Sequence, residues 1–310
     1  MVSNFLVLAV DGMVMDARKI ISFSFHDEAG VKSDHLEVEL TPDMPRPRTN
    51  GIVTAVLFNS RGGVMPCGIF YVESVTRTNN KAIRFTANGV EFNEKQLKKH
   101  SKHYEKTKLS SIVKMAAGRM GHGVKFCAPD PKIESLNQNN ESDLHFLDRL
   151  AKKYDCLFSI KNNVAYFVNK SYGCMPVWPL FVPFAKESSI TRRKVKYHSC
   201  EATYYDQKKA KEKKVKVGGK KPLLKIRSKG KTRELAKIDA KAALSKATRY
   251  STHGHIHTMG QTIYASTKVF IIGTHDFEDD GIYWIHSCTH HFNRHTGWTV
   301  DVEFENLKPR

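Results

Sequence analysis

No two of the six cysteines (Cys67, Cys127, Cys156, Cys174, Cys200 and Cys288) form a C-x-x-C pair. That excludes the common zinc ribbons and the thioredoxin-type redox motif. Isolated cysteines are expected as small buried hydrophobes, reduced as in a protein made in the cytosol. Long apolar runs are missing too. The N-terminal run, Phe5 to Val10, is six residues long and lacks a basic leader, so neither a signal peptide nor a membrane span is expected. There is no G-x-S-x-G, no H-E-x-x-H and no G-x-G-x-x-G after a strand. Val217-Gly-Gly-Lys-Lys221 has neither the spacing nor the Ser/Thr of a phosphate loop. The common catalytic motifs are therefore missing, and no cofactor is expected.

What is present is ordinary in amount and uneven in distribution. At 310 residues and 35.2 kDa the chain has room for about two domains. Apolar residues make up 40% and charged residues 26%, a globular balance that argues against wholesale disorder. The net charge is +19, but Asp206–Arg249 holds 17 Lys/Arg against 4 Asp/Glu, and so supplies +13 of it. The basicity is local.

The first hundred residues predict strands. Ile21, Phe23 and Phe25 alternate with serines, and Leu36, Val38 and Leu40 with glutamates. Ile52–Phe58, Gly68–Val75 and Ile83–Asn88 continue the series, with Gly62-Gly63, Asn79-Asn80 and Pro42–Pro47 as punctuation. Such spacing favours an antiparallel barrel over an open sandwich. The period then changes. Leu109, Ile112, Val113, Ala116 and Met120 share one face of a helix starting near Thr107. A second helix is capped by Ser142, with Asp143 in its first turn and a stripe of Leu144, Leu147, Ala151 and Tyr154. Strands Cys156–Ile160 and Val164–Val168 follow across the turn Lys161-Asn162-Asn163.

Pro176, Pro179 and Pro183 interrupt the apolar segment Met175–Phe184. They predict an extended loop that threads under its own domain or meets another chain. A strand at Val195–Tyr205 leads into Gln207–Lys231, whose lysines and glycines predict a mobile, solvated loop. Thr232–Arg249 reads as a helix with Leu235, Ile238 and Ala242 on one face. Strands return at Val269–Ile272, Ile282–Ile285 and Trp298–Phe304.

Two constellations could carry chemistry. His253, His255 and His257 would share a strand face, a spacing able to ligate a metal in a hydrolase, or simply line a polar barrel face. His286, His290, His291 and His295 lie further on. The acidic cluster Asp276, Glu278, Asp279 and Asp280 precedes Gly281 and is expected to be a solvated hairpin. Nucleic-acid binding through the basic segment is the alternative function. However, no aromatic residue falls between Gln207 and Arg249 to stack on bases.

Ser142-Asp-Leu-His-Phe-Leu-Asp-Arg-Leu-Ala-Lys-Lys-Tyr154, with Cys156-Leu-Phe after it, resembles the signature of the phage late control gene D family. These are baseplate hub proteins of contractile tails, related to the hub part of the VgrG proteins of type VI secretion. Leu109–Ala117, Gly68–Val75, Tyr197–Asp206, Gly281–His290 and Gly297–Phe304 resemble further elements of that family, in order along the chain. The proline-rich apolar loop and the lysine-rich segment depart from it.

The resemblance implies an α+β, mainly β fold: two antiparallel β-barrel-like domains, 1–98 and 185–310, around an α/β module and connecting loop at 99–184. It implies a non-enzymatic homotrimeric ring between the sixfold tail tube and the threefold central spike. Expected partners are other copies of the chain, the spike, the tube or tube-initiator protein, baseplate wedge proteins and the tape measure protein. Sequence-specific nucleic acid is not expected among them. The expected location is the virion baseplate, assembled in the host bacterial cytoplasm. Candidate interface residues are Met175, Trp178, Phe181 and Phe184, with Lys213, Lys214, Lys220 and Lys221. No catalytic residue is expected.

Overall fold

The first seven strands are β1 (Asn4–Val10), β2 (Met13–Val14), β3 (Ile20–Glu28), β4 (His35–Leu40), β5 (Ile52–Asn59), β6 (Val64–Thr78) and β7 (Ala82–Asn88), most of which bury alternate side chains. The computed structural model describes residues 4–30, 33–78, 81–89, 98–207, 209–219, 221–230, 232–249 and 251–307. Phe23, Phe25, Leu36, Val38, Leu40, Phe70 and Phe85 fill one core, each side chain worth about 1.5–3 kcal/mol of burial. A register shift between Ile20 and Ser22 puts Ile20, not Ile21, into that core.

The middle of the chain holds β8 (Lys99–Lys108), α1 (Leu109–Arg119), β9 (Gly123–Cys127), β10 (Lys132–Ser142), α2 (Asp143–Lys153), β11 (Cys156–Lys161) and β12 (Val164–Asn169). Leu109, Ile112, Val113, Ala116 and Met120 are all buried, as the helical period requires. Ser142 caps α2 by accepting from the His145 N–H. Leu147, Ala151 and Tyr154 are buried with Phe146 and Leu150, while Leu144 lies at the rim of the same core. The three-stranded sheet β11-β12-β9 backs the helices, with β9 parallel to β12.

The remainder comprises β13 (Val177–Phe181), β14 (Ala185–Arg192), β15 (Ser199–Asp206), β16 (Lys211–Gly218), β17 (Leu223–Arg227), α3 (Arg233–Thr248), β18 (Thr252–Met259), β19 (Lys268–Ile272), β20 (Gly281–Asn293) and β21 (Gly297–Asn306). The fold is mainly β, with large antiparallel sheets and three α-helices among the described residues.

One 13-stranded sheet runs through both β-rich regions. Its seam is β20. Residues Gly281–Trp284 pair with β19, whereas Ser287–Asn293 pair with β3. The register of β20 against β21 shifts between Ile285 and Ser287, where one partner gives way to the other. Phe292 and Trp298, from the tip of the β20–β21 hairpin, complete the core of the first seven strands. The base of the same hairpin (Tyr283, Ile285, Val302, Phe304) belongs to a separate core with Leu180, Ile256 and Val269.

The segment 207–231, expected as a mobile loop, is instead mostly strand among its described residues. β16 pairs antiparallel to β15, and β17 parallel to it. The reason is a short alternation hidden among the lysines. Val215, Val217, Leu224 and Ile226 point inward with Cys200, Ala202 and Tyr204 against α3, and Lys214, Lys216 and Lys225 point out. On α3 the residues buried against this sheet are Ala236 and Ala240, with Ala243 and Leu244 beside them. Leu235 and Ile238 reach across to the core of the α/β module.

The proline-rich segment is also partly strand. β13 lies parallel to β19 at the margin of the sheet, where Pro179 is tolerated. A further correction concerns the thiols: Cys127 and Cys174 are joined as a disulfide, while Cys67, Cys156, Cys200 and Cys288 are free. A pairing across 47 residues leaves no local spacing motif in the sequence.

Candidate functional site

The hairpin turn Lys161-Asn162-Asn163 fixes the α/β module onto the sheet. Lys161 Nζ donates to Asp27 and, at 2.9 Å, to Asp34 Oδ1. All three side chains are largely buried. Asp27 also accepts from the Ala265 N–H at 2.8 Å. Burial, followed by the neighbouring Asp27 charge, pushes the Asp34 carboxyl up to about 7. Beside this triad Asn162 Oδ1 accepts from the Ile69 N–H at 3.3 Å. Gly68, at φ +112°, makes room: a Cβ there would stand 2.5 Å from the Asn162 oxygen.

The histidine trio does share the β18 strand, and two of its members meet one carboxylate. His255 Nε2 and His257 Nδ1 both contact Asp301 Oδ1, at 2.8 and 2.9 Å, and His291 Nε2 lies 3.4 Å from Oδ2. His253 faces Glu305 in the β21 register. The three residues His253, His255 and His257 therefore do not converge; one carboxylate on the next strand gathers two of them with His291. His290 is wholly buried. Its Nε2 lies 3.0 Å from the Ile263 carbonyl, and its Nδ1 accepts from the Trp298 indole at 3.2 Å. Burial holds its pKa down at about 4. The acidic turn is structural. Asp280 accepts from the N–H groups of Gly273 and Thr274, both at 2.9 Å, and Asp279 takes Arg192 Nε at 2.5 Å.

The proline-rich segment turns Met175, Trp178, Leu180 and Val182 inward. Met175 is buried, and Trp178 donates from Nε1 to Thr267 Oγ1 at 3.1 Å. Phe181 and Phe184 face outward at 47% and 71% exposure. Phe270 and Ile282, which stand next to each other in the β19–β20 register, extend this apolar surface. A second apolar surface lies toward the other end of the strand order, formed by Phe5 and Val7 of β1, Met13 and Val14 of β2 and Ile69 of β6.

Of the basic candidates, Lys213 donates to Asp206 at 2.6 Å and is half-buried, so its charge is spent within the fold. Lys214 is exposed, 3.5 Å from Glu201. Lys221 is exposed, and Lys220 lies outside the described residues. Lys216, Lys225 and Arg227 are exposed with Lys214 on the outer face of the β15–β17 sheet. Period-2 reading of Lys213–Val217 could have found this face.

No protein-family model and no curated protein matches the chain. Its fold, however, is shared from end to end with solved structures. A tail protein from Neisseria meningitidis superposes with a TM-score of 0.72 at 9% identity, over 98% of this chain and 97% of that one. A tail protein from a Shewanella oneidensis prophage gives 0.70 at 13% identity, over 98% and 99%. An Escherichia coli component of the type VI secretion system, itself described as structurally similar to bacteriophage tail proteins, gives 0.57 at 11% identity, over 96% and 76%. At such identities the likeness is one of fold.

Proposed function

We propose that this chain is a structural hub of a contractile phage tail baseplate or a related injection particle, acting without chemistry of its own. The observation that carries this reading is the end-to-end correspondence of fold with two tail proteins, in which almost nothing of either chain is left over. On this reading residues 1–98 and 185–310 are two related β domains, and 99–184 the module and connection between them. Three chains then present six similar domains, matching a sixfold tube on one side and a threefold spike on the other.

The two exposed apolar surfaces support a ring. They differ in composition and lie at different parts of the strand order, so a contact between them is head-to-tail, and such contacts must close to avoid filaments. Exposed apolar patches of this kind mark interaction surfaces. The outer basic face of the β15–β17 sheet meets an acidic surface on a neighbour, with spike, tube or tube initiator, wedge and tape measure proteins as the partners. Reconstruction of the assembled particle tests the proposal. Three copies in a ring between tube and spike are expected; six copies, or a position outside the baseplate, would overturn it. If the basic face instead bound DNA, affinity would fall steeply with rising salt.

A further inference from the structure

Across the seam of the main sheet, one outward row of residues runs over five strands. Register places His257 opposite Asp301, Asp301 opposite Thr289, Thr289 opposite His26, and His26 opposite His35. The next row brings His291 opposite Ser24, and Ser24 opposite Glu37. The imidazoles of this face fall into two groups. His255, His257 and His291 are gathered by the Asp301 carboxylate. His26 and His35 instead stack on each other, with ring centroids 4.2 Å apart and planes 9° from parallel. Glu37, two residues beyond His35 on the same face, has Oε1 3.9 Å from His35 Nε2.

We infer that His26, His35 and Glu37 form a binding site for a zinc-class divalent transition metal on the seam. One donor atom from each lies within 4.8 Å of the other two. Ligands about 2.0–2.2 Å from a tetrahedral zinc stand roughly 3.3–3.6 Å apart, so binding draws the three donors together by rotation of the side chains. Two imidazoles and one carboxylate suit zinc and its neighbours in the series. Calcium and magnesium favour all-oxygen sets. Parallel rings do not aim their lone pairs at one point, so the metal opens the stack. His35, with its side chain about one-third exposed, has room to turn. The bound ion ties β3 to β4 beside the strand that joins the two β-rich regions. This site is independent of the proposed assembly role.

The test uses untagged full-length chain, dialysed to equilibrium against micromolar zinc, with bound metal counted by mass spectrometry and Co2+ added in parallel as a spectroscopic probe. Stoichiometric zinc and visible cobalt d–d bands are expected for the native chain and for a His255→Asn/His257→Asn variant. Both signals should be lost in His35→Asn/Glu37→Gln, with the fold intact by circular dichroism because both side chains lie outside the apolar cores. Absence of uptake by the native chain would overturn the inference. So would uptake unchanged in His35→Asn/Glu37→Gln, or loss of uptake in His255→Asn/His257→Asn.

Discussion

Arg119 and Asp143, 24 residues apart, close a two-point ion pair between the end of α1 and the start of α2, with Nε donating to Oδ2 at 2.8 Å. Asp143 has no solvent exposure, and Gln138 Nε2 donates to its Oδ1 at 2.8 Å. Arg119 also donates to Tyr104 Oη and Gln138 Oε1, at 3.2 and 3.0 Å, so the polar ribbon β8–β10 joins the same network. Arg119→Met leaves a buried carboxylate without its cation and is expected to cost about 3–5 kcal/mol in denaturant unfolding. Arg119→Lys should recover only part of this, because an ammonium cannot reproduce the forked geometry.

Leu147→Ala should cost about 2–5 kcal/mol, since the side chain is fully buried among Phe146, Leu150 and Phe158. Leu144→Ala, at the rim of that core, should cost distinctly less. Equal losses in denaturant unfolding would contradict the packing described.

Gly68→Ala meets both a left-handed backbone and the Asn162 oxygen. A loss of roughly 1–3 kcal/mol is expected. Adding Asn162→Ala should relieve the clash and leave the backbone strain, so a double-mutant cycle should show coupling between two residues far apart in sequence.

His290 gives stability an acid limb. Its folded pKa, about 4, lies below the ordinary value near 6.5. Between these values the unfolded chain binds a proton that the folded chain does not. Its contribution is therefore full above about pH 6.5 and is lost as pH falls towards 4, by up to about tenfold in the folding constant per pH unit. Urea midpoints across this range should fall in the native chain and fall less steeply in His290→Gln.

Asp34 works in the opposite direction. Its folded pKa, about 7, stands above the ordinary carboxylate value of about 3.9, so the folded state keeps a proton that the unfolded state has released. That contribution is present below about pH 4 and lost as pH rises through 7. Asp34→Asn, which removes the titration and leaves Asp27 to pair with Lys161, should therefore gain in urea midpoint relative to the native chain as pH rises from about 4 to 7. A constant difference across that range would refute the assignment.

The sequence by itself determined the local elements. The stripe Leu109–Met120, the cap at Ser142 and the alternation of Phe23, Phe25, Leu36 and Val38 each encode a period that only one kind of element satisfies. Val215, Val217, Leu224 and Ile226 were equally legible, but the lysines between them carried the composition toward a solvated loop. Tertiary structure decided the rest, because each remaining feature depends on partners distant along the chain. Lys161 reaches Asp27 across 134 residues, and Phe292 and Trp298 pack with strands from the opposite end. His26 meets His35 only because β3 and β4 pair in that register. A side chain's type states what it can bond to; which partner comes within hydrogen-bonding distance is set by the burial and pairing of whole strands.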